Sequence, residues 1–518
     1  MCGIAVAFNW PEANAKVARI ASLLAHRGAI TDPVVSPWPE TAFCTRRLPI
    51  VDEAGGVQPA VSWDGRILVA MNGEIYNYAE LAAELGSLGA KFRTASDTEV
   101  LAAALSVWGG RALQRLNGMY AFVALDLGAG EFLAARDPFG VKPLYVVQSG
   151  ESFLFASEMR PLLTVTESEK VMFLPPGHAL TRRGAVQFKS FLTERTRGAG
   201  VHDARTLDRI LQDAVAIRTP PDLPVATLMS GGIDSTLIAH YLRRIRPEAP
   251  GYFLGSPTAP DFRYAAEYAD MNDYELRLVD FEDGGGDILG QIDSVVATVE
   301  SFEPNVVHPS LCSYLLSRAA HRDGFRVGFC GEGADELFAG YVHNEQAYAR
   351  SEDHGHFVRE EGIALMHRSV LQRVDRCSMR FGLELREPFL DPAVATYALG
   401  LAGDQLWSRA ADGSIRGKRP LRTLYDLYPD ALPASIRDRR KIPLNEGSGF
   451  DQSEEVSPWA AFARETVSDR EFSDGQRRFA PYDLRDKEDY LYLDRLARVL
   501  DVDRVPHLAQ RSLIRIPV

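Results

Sequence analysis

At 518 residues the chain is too long for one hydrophobic core, and two domains are the natural expectation. Its 46% hydrophobic and 25% charged residues are ordinary for a globular protein, while a formal charge of −13 argues against a general nucleic-acid or anionic-membrane binder. No apolar run reaches ~18 residues and no basic segment precedes an apolar start, so neither a membrane-spanning helix nor a secretory signal is expected.

Residues 1–190 read as many short strands with two amphipathic stretches. "RILVAMNGEIYN", "MYAFVALDL" and "FLAARDPFGVKPLYVVQ" are β-rich runs broken by Gly, Asn and Pro. "YAELAAELGSLG" and "SDTEVLAAALSVWG" carry helical periodicity. The expectation is an α+β domain of layered sheets. A polar stretch over 190–205 reads as a linker. Over 205–518, strand-like runs ("PVATLMS", "GYFLGS", "RVGFCG") first alternate with helical ones, which predicts an α/β domain around a parallel sheet. The last third reads as mostly helical, ending in an amphipathic helix over 486–500. The five cysteines, at 2, 44, 312, 330 and 377, form no C-x-x-C pair. A disulfide framework is not expected, and a cytoplasmic location fits.

Cys2 opens the chain as "MCG". With Met1 removed it would carry a free α-amine of pKa ~7.7–8, so that one residue holds both nucleophile and base. A small buried residue opening a strand explains "MCG" equally well. Arg47, in "RRLPIVD", could clamp a carboxylate or simply be a surface charge. Asn72 and Gly73, in "MNGEIYN", are placed at a turn, as an oxyanion hole or an ordinary hairpin turn. Asp97, in "ASDTE", starts a helix, to bind an ammonium or to cap. Taken together, these residues supply what hydrolysis of an amino-acid amide needs.

The ordered set "MCGIA", "HRG", "RLPIVD", "NGEIYN", "SDTE" and "RDPFGVKPLY" resembles the glutaminase domain of class II amidotransferases, an Ntn-hydrolase-like fold. The resemblance implies that Cys2 attacks the glutamine side-chain amide, with Asn72 and Gly73 stabilising the oxyanion. It further implies that Arg47 binds the α-carboxylate within the segment Leu48, Pro49, Ile50 and Val51, and that Asp97 with Glu74 binds the α-amine. One departure is "HRGAITD", where the family has Pro-Asp directly after HRG.

In the second half, "VATLMSGGIDSTLIAHYL" is a strand, a glycine turn and a helix. Paired glycines and a helix N-terminus favour an anion. Ser230 and Ser235 add donors, and Asp234 could hold Mg²⁺. A plain glycine turn is the alternative. In "RVGFCGEGADELFAGY", Asp335 is the candidate second metal ligand and Glu332 the candidate acid/base, while Glu336 is more simply a helix cap. In "RRKIPLNEGSGF", Lys441 could neutralise charge at a phosphoryl centre or be a surface lysine.

SGGIDS resembles the pyrophosphate loop of N-type ATP pyrophosphatases, an adenine nucleotide α-hydrolase-like fold. That resemblance places Met229, Ser230, Gly231, Gly232, Asp234, Ser235, Phe253, Cys330 and Gly331 around ATP, and Asp234 and Asp335 on Mg²⁺. The glutaminase half followed by SGGIDS, GEGADE, "LELREPFLD" and RRK resembles the glutamine-hydrolysing asparagine synthetase family. It implies that aspartate, or a similar carboxylate, is adenylated and then amidated by ammonia arriving from Cys2 through a tunnel, with AMP and pyrophosphate released. A homodimer is a candidate assembly.

An asparagine-synthetase-like tailoring enzyme acting on another small carboxylate is the main alternative, and a β-lactam-synthetase-like ligase is a more distant one. "KIPLNEGSG" looks like the β-lactam branch, and "IALMHRSVLQR" lacks the acid usual there. The β-lactam enzymes, however, lack the N-terminal cysteine and carry Tyr in place of Glu332.

Overall fold

The computed structural model describes residues 2–192, 200–281, 288–409, 413–451 and 457–511. Part of the stretch read as a linker, 193–199, lies outside them. The chain divides into two compact units. The first comprises 1–190 with 379–382 and 497–510, and the second 191–378 with 383–496 and 511–518.

The principal strands of the first unit are β1 (Cys2–Phe8), β2 (Thr41–Arg47), β3 (Ile67–Ile75), β4 (Gly118–Asp126), β5 (Glu131–Arg136), β6 (Tyr145–Ser149) and β7 (Ser152–Ala156). A seven-stranded sheet runs β6-β7-β1-β2 through its centre, and a six-stranded sheet runs β5-β4-β3. All the pairings among these strands are antiparallel. The expected sheet sandwich is what forms, and the pleat explains it. Successive side chains point to opposite faces of a strand. Ile4, Val6 and Phe8 of β1 therefore join Phe43, Leu68, Ala70, Val123 and Phe155 in one core between the sheets. The alternate residues of β1 are Gly3, Ala5 and Ala7. Their small size lets helix α1 (Ala13–Leu23) and the turn after it lie close against β1 and β2. On the outer face of β3, Val69 and Met71 pack with α2 (Tyr78–Ser87) and α3 (Asp97–Trp108).

The same alternation places the site. Cys2 continues the even series of β1, Arg47 the odd series of β2 that holds Phe43, and Asn72 the even series of β3 that holds Leu68 and Ala70. All three side chains therefore belong to the inter-sheet face, and Cys2 stands directly opposite Arg47 in register.

One expectation fails here. Asn72 and Gly73 are not at a turn but inside β3. Gly73 has φ +145°, and a Cβ on it would fall 2.1 Å from the Met119 carbonyl oxygen of β4. A glycine inside a strand marks this kind of close backbone approach. Gly73→Ala is accordingly expected to cost about 2–3 kcal/mol, read as a lower urea midpoint at unchanged slope.

In the second unit, β8 (Val225–Leu228), β9 (Gly251–Leu254), β10 (Leu276–Val279), β11 (Val327–Phe329) and β12 (Glu384–Arg386) form a parallel sheet. The strand order is β10-β9-β8-β11-β12. The chain winds outward from β8, then returns to lay β11 on its other side. Right-handed crossovers then put helices on both faces, and the reversal between β8 and β11 opens a crevice at their carboxyl ends. Both glycine-rich motifs follow those two strands.

Candidate active sites

In the first unit Cys2 is 4% exposed. Its backbone N–H donates to Asn72 Oδ1 at 3.0 Å, and its carbonyl accepts from Arg27 Nε at 3.2 Å. Arg27 is in turn held by Glu158 at 2.9 Å. Burial pushes the thiol up to about 11, although an N–H of Leu48 bonds to the sulfur. The thiol is therefore neutral at physiological pH and needs a base to become a nucleophile. Asn72 is wholly buried, and its Nδ2 has no partner among the described residues. This is a donor held ready in a buried site beside the sulfur's own residue. Gln58 adds a second amide. Its Oε1 accepts from Met71 N–H at 2.7 Å, which turns Nε2 toward the Cys2 sulfur at 3.7 Å.

Arg47 is buried but not free. Its Nε lies 3.2 Å from both Asp32 oxygens, and Nη1 donates to the Glu53 carbonyl at 3.0 Å. Nη2 is the one nitrogen of the group that these bonds leave unused. Asp32 also accepts from Gln58 N–H at 3.2 Å. Asp32 comes from the departing "HRGAITD" loop, so this loop orients Arg47 and Gln58 together. Leu48 and Pro49 are buried beyond β2, while Ile50 and Val51 are half-buried. Asp97 accepts from Ile75 N–H at 2.9 Å and bonds the Glu74 side chain, and burial raises its pKa.

In the second unit the turns 229–232 and 330–333 meet at the crevice. Ser230 N–H donates to Ser235 Oγ at 3.1 Å, the two hydroxyls lie 3.0 Å apart, and Gly232 N–H reaches Ser230 Oγ at 3.3 Å. Gly231, at φ +67°, makes the turn that starts helix α4 (Ile233–Arg243). Met229, Ser230, Gly232, Asp234, Ser235, Cys330, Gly331, Glu332, Asp335 and Lys441 all line this cleft. Phe253 does not. It is buried in β9 and packs edge-on against Phe262, with ring centroids 5.7 Å apart.

Asp234 and Asp335 are brought together by a residue the sequence reading passed over. Lys418, 3% exposed, places its ammonium 2.6 Å from Asp234 Oδ2 and 2.6 Å from Asp335 Oδ1. It does so from a left-handed backbone, φ +61°, passing so close to Gly340 that a Cβ there would fall 2.1 Å from its Cε. Lys441 adds a 3.0 Å contact to Asp335 Oδ2. Burial opposes charge on both carboxylates. With two ammonium groups Asp335 is nevertheless held below the usual range, whereas Asp234, sharing only Lys418 directly, is raised.

A paired carboxylate set with a buried Asp234 Oδ1 that has no partner among the described residues fits a hard divalent cation sharing phosphate ligands. Glu332 is tied to Arg373 at 2.6 Å. Glu336 accepts from the Tyr341 hydroxyl at 2.7 Å, and burial with the Asp335 and Glu332 charges raises it to about 7. Arg439 was also passed over. It donates to the Gly231 carbonyl at 2.7 Å and pairs with Asp261, bracing the first turn.

Residues 1–182 match the family model for a glutamine amidotransferase domain, and residues 206–367 and 356–515 match the model for asparagine synthase. The chain belongs to the asparagine synthase family. Among curated relatives of this family, an asparagine synthetase [glutamine-hydrolyzing] 3 of Arabidopsis thaliana is 31% identical over 87% of this chain and 79% of its own. A probable asparagine synthetase of Schizosaccharomyces pombe is 29% identical over 95% of this chain and 92% of its own. Asparagine synthetase B of Escherichia coli is 29% identical over 93% and 87%. This asparagine synthase family chain is thus a ligase with an amidotransferase domain. Among its described residues no helix is long and apolar enough to cross a membrane, and the five cysteines are free and buried.

Away from the cleft, His308 is held between Asp451 at 3.0 Å and Glu488 at 2.7 Å. Burial opposes its charge, but the two carboxylates raise it to about 9. This histidine therefore adds stability that is complete below the unfolded value of ~6.5 and is lost as pH rises through about 9. Urea melts at pH 6 and pH 9.5 should show a larger loss for the parent than for His308→Gln.

Proposed function

We propose that the chain hydrolyses glutamine at Cys2 and uses the ammonia to amidate a carboxylic acid activated by ATP in the second unit. The names of its relatives make aspartate the first acid to test. In the first step the Cys2 α-amine, freed by loss of Met1, accepts the thiol proton. The sulfur adds to the glutamine amide carbon, Asn72 Nδ2 and Gly73 N–H receive the oxyanion, and ammonia leaves with the transferred proton. Water then cleaves the thioester to glutamate. Arg47 Nη2 and the Asp97–Glu74 pair hold the two ends of the glutamine.

In the second unit the 230–235 turn takes the phosphates. The acid's carboxylate displaces pyrophosphate from ATP, giving an acyl adenylate, and ammonia then displaces AMP. Lys441 offsets the charge that builds at phosphorus, and Glu332 takes up the proton shed by the attacking nitrogen. Asp234 and Asp335 would hold Mg²⁺, which supplies charge neutralisation on the phosphates.

The observation that carries this reading is the meeting of two glycine turns with Asp234 and Asp335 on one ammonium, in a chain whose Cys2 is bonded to Asn72. The test is pyrophosphate release with glutamine, ATP and aspartate. Stoichiometric pyrophosphate, AMP and asparagine support it. Glutamine hydrolysis with no pyrophosphate from any acid refutes the ligase half.

A further inference from the structure

Beside the nucleotide cleft the second unit holds a cavity of about 870 Å³. Glu332, Asp335, Lys441 and Leu444 line both spaces, so an acid seated in the cavity presents its carboxyl to the cleft. Aspartate has about nine heavy atoms. At ~30 Å³ for each water-sized group it fills about 270 Å³, less than half of this space.

Three features of the wall say what the remainder takes. Gly362, inside the helix Glu352–Leu365, lines the cavity, and a Cβ built on it meets nothing within 4 Å. Glycine inside a helix costs ~1 kcal/mol against alanine. With no neighbour among the described residues demanding it here, its effect is to widen the cavity along the apolar side formed with Leu365 and Val370. Glu336 is 95% buried, judged by its 5% exposure, and its Oε2 has no partner among the described residues. A buried acceptor left unsatisfied is costly, and a donor on the ligand removes that cost. Arg485 also lines the cavity, with a side chain 48% exposed and only a long 3.8 Å ion pair, to Asp483, among the described residues. That guanidinium has room to take an anion.

The geometry points to an acceptor of dipeptide size: an extended amino acid with its reacting carboxyl at the cleft, an ammonium on Glu336, its body along Gly362 and Leu365, and a second carboxylate at Arg485. This rests on the carboxyl-activating reading of the cleft. The acid that the relatives' names suggest then corresponds to the head group of a larger substrate.

The test compares L-aspartate, L-aspartyl-L-phenylalanine and its N-acetyl derivative in glutamine-dependent pyrophosphate release by the full chain. The dipeptide is expected to exceed aspartate at least tenfold in kcat/KM, and acetylation to remove at least tenfold of that. Gly362→Phe should shift the dipeptide-to-aspartate ratio at least tenfold toward aspartate. Its folding is checked by its melting temperature, and Leu365→Trp is the second filling variant. Aspartate equal to or better than the dipeptide overturns the inference and leaves the amidation reading standing. So does a ratio that neither filling variant moves. No pyrophosphate from any of the three acids overturns the reading beneath it.

Discussion

Cys2→Ala loses glutamine-dependent amide formation by on the order of 10⁴-fold or more, while turnover with added ammonium salt persists. The size of the loss follows from the site. In the proposed mechanism the sulfur is the atom that forms the bond, and alanine offers nothing in its place. The surviving activity follows from the division of labour, since carboxyl activation is assigned to residues of the second unit alone. The measurement is pyrophosphate release with glutamine and, separately, with ammonium chloride. Loss of both activities would mean that Cys2 is a structural residue of β1. Loss of neither would remove the nucleophile from the proposal.

Lys418→Met should be the most damaging single change in the second unit when no metal is added. It leaves Asp234 and Asp335 buried side by side, with Lys441, at 3.0 Å from one of them, the remaining ammonium in contact among the described residues. Removing one partner of a buried ion pair costs about 3–5 kcal/mol, and part of that is relieved by protonating Asp234, already the higher of the two. Millimolar MgCl₂ should recover much of the lost melting temperature in the variant and little in the parent, because a divalent cation then meets two uncompensated carboxylates. The readout is the melting temperature with EDTA and with MgCl₂. A variant as stable as the parent in EDTA, or one that magnesium does not rescue, would show that Lys418 is not the counter-ion of this pair.

The members of the first site were legible as residue types, a thiol, a guanidinium, an amide and a carboxylate, in an order that resembles a known domain. What brings Cys2, Arg47 and Asn72 to one face is the period-two alternation of three strands, and that showed only with the strands' bounds and register. Asn72 and Gly73 were misplaced because "NG" is a local signal for a hairpin, whereas the reason for this glycine is the Met119 carbonyl of another strand. Asp32 stood out only as a departure in a loop, and nothing near it names Arg47 as its partner. The parallel sheet and its two motif turns were legible from strand–turn–helix alternation. Lys418 was not, since "GKRP" carries no local mark and its partner Asp234 lies 184 positions away. Phe253 was placed near the nucleotide by resemblance, yet an aromatic residue in a central strand has a simpler fate in the core.

The position of β1 constrains how this protein can be handled. Its first residue lies near the middle of a seven-stranded sheet, with its nitrogen fastened to Asn72. On the proposed mechanism that nitrogen is the base for the thiol once Met1 is lost. A purification handle or fluorescent fusion joined ahead of Cys2 would keep it an amide, and material made in that form would be expected to use ammonium salt but not glutamine.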